Sequence, residues 1–102
     1  QRDTAGTEKV RAMILSTPPE GFIGCCQAIR DMDQREDIKA ITAPTLIICG
    51  EDDPSTTPEM ARFLQSSIPG AKLALLPNAA HLANAEQPEM FGKAVLEFLG
   101  AA

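Results

Sequence analysis

The sequence predicts an α/β fold with a parallel sheet, on three observations. Residues 45–49 and 72–76 are short apolar runs, the first rich in isoleucine and bounded by Pro44 and Gly50, as strands buried on both faces are. Between them Met60, Phe63, Leu64 and Ile68 recur at helical, core-facing spacing. Strand, helix and strand within residues 45–76 make a βαβ unit, so the two strands are expected to be parallel with a right-handed crossover. The third observation is chemical. Glu51, Asp52 and Asp53 follow the first strand, and the single histidine, His81, follows the second. Both therefore fall at the strand ends where open α/β sheets carry their sites.

The elements follow in order. Residues 1–7 are polar and are expected to be frayed. Residues 8–16 place Val10, Met13 and Ile14 at helical spacing, widened by Leu15. Thr17 is suited to cap a second helix, with Pro18 at its first position and Glu20 completing a capping box. Phe22, Cys25, Cys26 and Ile29 form that helix's apolar face up to Asp31, and residues 31–39 are a charged surface connection. After the first strand, Thr57 and Pro58 open the crossover helix and Pro69-Gly70 end it. Residues 77–80 read as a loop. The last helix starts near Gln87 and Pro88, with Phe91, Ala94, Val95, Phe98 and Leu99 as its stripe. No internal repeat or low-complexity segment interrupts this order.

Composition narrows the function classes. The chain has 102 residues, 14 acidic against 9 basic, a net charge of -5, and no basic run. Nucleic acid and anionic membrane surfaces are poor partners for such a chain. No apolar stretch is long enough to span a bilayer and no signal peptide opens the sequence, so a soluble, cytoplasmic protein is expected. Three cysteines, two of them adjacent at Cys25 and Cys26, form no spaced framework or metal motif. Reduced, mostly buried thiols are expected. Two parallel strands that are apolar on both faces also need further strands at their edges, which this chain does not supply. It is expected to be a segment of a larger sheet domain, or to complete itself with another chain.

An acid after one strand and a histidine after the next follow the order of triad members in α/β-hydrolases. The resemblance extends to motifs. Pro44-Thr45-Leu46-Ile47-Ile48-Cys49-Gly50-Glu51-Asp52-Asp53-Pro54 resembles the acid-bearing strand and turn of that fold. Ala79-Ala80-His81-Leu82, with Glu86-Gln87-Pro88-Glu89, resembles its catalytic-histidine turn. Within the fold, Pro19-Glu20-Gly21-Phe22, the stretch from Cys25 to Asp31, and His81-Leu82-Ala83-Asn84 are similar to 3-oxoadipate enol-lactonases of the β-ketoadipate pathway, a likeness running over residues 10–99. The triad motifs are shared by many activities, and only the cap segment points to the lactonases.

The resemblance implies the C-terminal segment of an α/β-hydrolase fold: the end of a helical cap in residues 1–36, then the last two parallel strands and flanking helices in residues 37–102. It implies Asp53 as triad acid and His81 as general base. Asp52 is the nearest competitor to Asp53, and Glu51 and Asp52 read otherwise as solvated loop charges. Phe22, Ile29 and Arg30 are implied to line the substrate pocket, Arg30 meeting a substrate carboxylate, although a solvated helix charge is its simpler reading. No metal or organic cofactor is implied. The expected partners are a small lactone or ester and either the N-terminal half of the same fold or a second copy.

One part of the pattern is missing. The Gly-x-Ser-x-Gly elbow is absent, because Ser16, Ser55, Ser66 and Ser67 lack the flanking glycines. Cys25 follows Gly24 but sits mid-helix on an apolar face, where packing explains both Cys25 and Cys26 better than nucleophilic chemistry does. The expected reaction is hydrolysis of a small carboxylated enol-lactone through a serine that lies elsewhere. Two rivals stand beside it: another α/β-hydrolase activity, such as an esterase, a haloperoxidase-like enzyme or a dehalogenase, and a catalytically silent truncated domain that self-associates.

Overall fold

In the computed structural model, which describes residues 4–100, the apolar run after Pro44 forms strand β1 (Leu46–Gly50) and the later one forms β2 (Lys72–Leu76). They pair in parallel, in register from Leu46 opposite Lys72 to Gly50 opposite Leu76. Hydrogen bonds beyond each end, Lys72 N–H to the Thr45 carbonyl and Glu51 N–H to the Leu76 carbonyl, both 2.9 Å, extend the ladder. Among the described residues the sheet holds these two strands alone, so each keeps one unpaired edge.

The chain divides into two compact units, Gln1–Gln34 and Arg35–Ala102. The first contains helices α1 (Thr4–Ser16) and α2 (Pro19–Asp31). Helix α1 starts four residues before the predicted 8–16, so residues 4–7 are helical and residues 1–3 lie outside the described residues. The predicted capping box does not form. The Thr17 hydroxyl donates to the Met13 carbonyl at 3.1 Å, beside the Ser16 hydroxyl at 2.7 Å, and so closes the end of α1 instead. Pro18 takes the cap position of α2 and Pro19, with its fixed φ, takes the first helical place.

Neither helix buries a residue. Met13, Ile14, Leu15, Phe22, Ile23 and Ile29 are all more than half exposed, and Cys25 and Cys26, which the sequence places in a core, are exposed as well. Two helices by themselves supply no further layer to cover an apolar stripe.

The second unit opens with a 3-10 helix at Asp37–Ala40 within the charged connection. Helix α3 (Pro58–Ser67) crosses between the strands as predicted, capped by Thr57, whose hydroxyl accepts from the Met60 N–H at 3.4 Å. Its buried side chain is Ala61, with Ile68 at the C-terminal cap, while Met60, Phe63 and Leu64 stay exposed. The expected core stripe is thus largely uncovered. Two strands about 5 Å apart are narrower than a helix about 10 Å across, so only the innermost row of α3 meets the sheet. The same geometry leaves Leu46, Ile47 and Ile48 half-buried where full burial is predicted.

After β2, a turn through Pro77 and Asn78 leads to a short helix that the sequence does not announce, α4 (Ala83–Glu86), and then to α5 (Pro88–Phe98). Asn78 takes the left-handed region, φ 55°, which asparagine tolerates. Phe91, Ala94, Val95 and Phe98 are half-buried and Leu99 is exposed. The core proper is Leu76, Ala79 and Ala83, packed against Ile48 and Phe91. Its Leu76, Ala79 and Ala83 bracket the loop that carries His81.

Candidate active site

The site is assembled by the backbone before any side chain contributes. Past β1, the chain turns at Gly50, where the Asp53 N–H donates to the Gly50 carbonyl at 3.2 Å. The Asp52 N–H donates across to the Ala79 carbonyl at 2.9 Å, which ties the acidic turn to the loop after β2. A side chain at position 50 would run into the Ala79 and Ala80 carbonyls, so the approach requires glycine. From the other side, Glu86 on α4 accepts the Ala80 N–H at 2.7 Å, and Gln87 donates to the Asn78 carbonyl at 3.4 Å. The loop is therefore held at Ala80, next to His81, and at Asn78, three residues before it.

Asp53 is buried, and both of its carboxylate oxygens are hydrogen-bonded. Its Oδ1 accepts from the backbone N–H groups of Ser55 (2.9 Å) and Thr56 (3.1 Å), the Asx-type turn that an Asp-Pro-Ser-Thr sequence favours. Its Oδ2 accepts from the Thr56 hydroxyl at 2.7 Å and lies 3.0 Å from His81 Nδ1. The Thr56 hydroxyl holds the Asp53 carboxyl far below the usual carboxylate range. Burial opposes it, and the Ser55 N–H, His81 and the Thr56 N–H add to the lowering. A carboxylate with no proton to give is an acceptor only.

That fixes the histidine tautomer. The Thr56 hydroxyl, already donating its one proton to Asp53, also lies 3.2 Å from His81 Nδ1, so Nδ1 faces two acceptors and carries the proton. Nε2 keeps its lone pair. The imidazole is 61 % exposed against 3 % for the Asp53 side chain, a solvent-accessible base on a buried acid. The open groove of about 540 Å³ that touches Asp53 is walled by Glu51, Arg62 and Leu75 and does not include the imidazole.

The structure thus brings Asp53 and His81 together, with Glu51 and Asp52 exposed beside them. Phe22, Ile29 and Arg30 lie on α2 in the first unit, all exposed. The Arg30 guanidinium forks onto its neighbour Asp31 at 2.8 and 2.9 Å, so a carboxylate is already the group it holds. Thr56 is the residue that sequence reasoning overlooked, although the Asp-x-x-Thr spacing carried the signal for a side chain folding back onto the acid. Cys49, beneath the turn, donates through Sγ to the Gly50 carbonyl at 3.3 Å and the Thr56 carbonyl at 3.5 Å. Burial pushes its thiol up, and the Asp53 charge adds to this against a smaller opposing effect of Arg62. It is a packing thiol. Among the described residues, no three His, Cys, Asp or Glu side chains are grouped to hold a metal ion, and no helix is long and apolar enough to cross a membrane.

The chain is 38 % identical over 84 residues to 3-oxoadipate enol-lactonase 1 of Acinetobacter baylyi, covering 82 % of this chain and 31 % of that protein. It superimposes on the enol-lactonase of Burkholderia xenovorans with a TM-score of 0.87 at 34 % identity, over 91 % of this chain and 35 % of that one. A thermophilic esterase from Thermogutta terrifontis matches with a TM-score of 0.88 at 34 % identity, over 94 % and 36 %. The chain spans about a third of the length of these relatives. A parallel strand pair whose ends present a buried acid and an exposed histidine, together with a family match over residues 9–88, makes this chain a member of the alpha/beta hydrolase fold family.

Proposed function

We propose that the chain supplies the acid and base of a serine-type hydrolase that opens a small carboxylated enol-lactone, 3-oxoadipate enol-lactone being the first candidate. The observation that carries this reading is the contact of 3.0 Å between His81 Nδ1 and Asp53 Oδ2. With its proton held on Nδ1, the ring offers Nε2 to a serine hydroxyl. It would take that proton as the oxygen attacks the lactone carbonyl and return it to the departing enolate oxygen. Asp53 stays ionised and stabilises the imidazolium formed between these steps. The serine and the oxyanion donors belong, on this reading, to an N-terminal portion of the fold. The lactone is preferred over other esters because of the 38 % identity to an enol-lactonase. The likeness to a thermophilic esterase supports a second reading, hydrolysis of simple esters.

The test joins this chain to an N-terminal segment bearing a Gly-x-Ser-x-Gly elbow and measures turnover of the enol-lactone against p-nitrophenyl acetate. The lactone should rank first, and His81→Ala should abolish most turnover with the fold intact by circular dichroism, since the imidazole packs against no core. Ranking below the aryl ester would favour the esterase reading. Full activity of His81→Ala would remove the hydrolase assignment.

A further inference from the structure

We propose that Thr56 is a positioning residue for His81, its hydroxyl acting as a relay that donates to Asp53 and accepts from Nδ1–H so that the imidazole is held with Nε2 outward. The kinetic part rests on the hydrolase reading above, whereas the spectroscopic part does not.

The argument turns on which contacts each atom of Asp53 already has. Its Oδ1 is engaged by two backbone N–H groups, of Ser55 and Thr56, which any side chain at position 56 would leave in place. The Thr56 backbone has its own anchor in the Cys49 thiol, which donates to its carbonyl at 3.5 Å. Acid and turn are therefore fixed without the hydroxyl. What the hydroxyl alone contributes lies on the other side, the 2.7 Å bond to Oδ2 and the 3.2 Å approach to Nδ1.

An exposed imidazole with one acceptor at Nδ1 is free to pivot about that contact or to flip its ring. With two acceptors converging on the same nitrogen, both the proton's place and the ring plane are set. The hydroxyl also cannot turn to donate to Nδ1 without giving up the carboxylate, which is the stronger, charged acceptor. The direction of the relay is therefore fixed, from Thr56 to Asp53, and it disfavours the Nε2–H form.

The sole histidine makes the readout unambiguous, because imidazole nitrogen signals of the labelled 102-residue chain come from His81 alone. The parent should show the Nδ1–H tautomer. Thr56→Val, which keeps the shape and removes the hydroxyl, and Thr56→Ala should both show a mixture with the Nε2–H form, while Thr56→Ser restores the parent signal. The backbone N–H groups at positions 55 and 56 should stay as protected from hydrogen exchange as in the parent in all three, since both donate to Asp53. In the joined hydrolase with p-nitrophenyl acetate, Val and Ala should lower kcat about tenfold, the loss expected for one hydrogen bond to a charged group, with KM unchanged. Serine should stay within about twofold of the parent.

Parent-like tautomer signals in Val and Ala would overturn the proposal. So would equal loss in Ser, which would mean that the turn rather than the hydroxyl had been disturbed. Absence of hydrolysis in every variant, with the tautomer shift present, would sink the hydrolase reading and leave the positioning role standing.

Discussion

Asp53 shows how much a single carboxylate depends on its donors. It takes four hydrogen bonds, two from backbone and two from side chains, in a site nearly closed to water. Because these donors favour the charged form, the folded-state carboxyl titrates below its unfolded counterpart, which titrates near about 4. The sign of the pH dependence follows. The stabilisation is fully present above about pH 4 and is lost as pH falls from there toward the depressed folded value. Asp53→Asn should therefore be less stable than the parent at neutral pH, with the gap narrowing below about pH 4. Urea unfolding of both chains at several pH values measures this, and a gap constant from neutral to acid would show that the carboxylate's charge contributes nothing.

Among the elements, the pairing of two loops depends on one close approach. The turn after β1 and the loop after β2 meet at Gly50, whose missing side chain lets the Ala79 and Ala80 carbonyls approach. Gly50→Ala must push one loop away, at a cost of about 1–3 kcal/mol for overpacking against backbone. It should also separate Asp53 from His81, read as loss of the single Nδ1–H tautomer. Unchanged stability together with an unchanged imidazole signal would show that the loops yield freely. These elements were legible in the sequence to different degrees. Both strands and the start of α3 at Pro58 could be read because proline, glycine and apolar runs act locally. The positions of Asp53 and His81 followed from which strand each one ends. Burial could not be read that way: Met60, Phe63 and Leu64 have helical spacing, but whether they are covered depends on layers a helix does not encode. The cap of α2 failed for a related reason, since Pro18 took the cap position and the Thr17 hydroxyl, which a capping box needs as an acceptor, donates backward to the Met13 carbonyl. Thr56 was missed because its role depends on a contact with His81, 25 residues away.

For the whole molecule, what decides behaviour is apolar surface left facing water. Phe22, Ile23, Ile29, Met60 and Leu96 are each more than half exposed, and both strands of the sheet keep an open edge among the described residues. Contiguous apolar faces and unpaired strand edges are the two commonest templates for association. Against them stands a net charge of -5, a modest repulsion that physiological salt screens beyond about 8 Å. Attraction should win, so the chain alone should sediment and scatter light as a dimer or larger species, and it should not hydrolyse the lactone. On the proposed reading one further part of the fold both covers these surfaces and brings the nucleophile, so adding an N-terminal segment with the serine elbow should reverse both properties together. A monodisperse monomer at micromolar concentration would show that these faces are not adhesive. Hydrolysis by the chain unaided, removed by Ser55→Ala or Cys25→Ala, would instead place a nucleophile within these 102 residues.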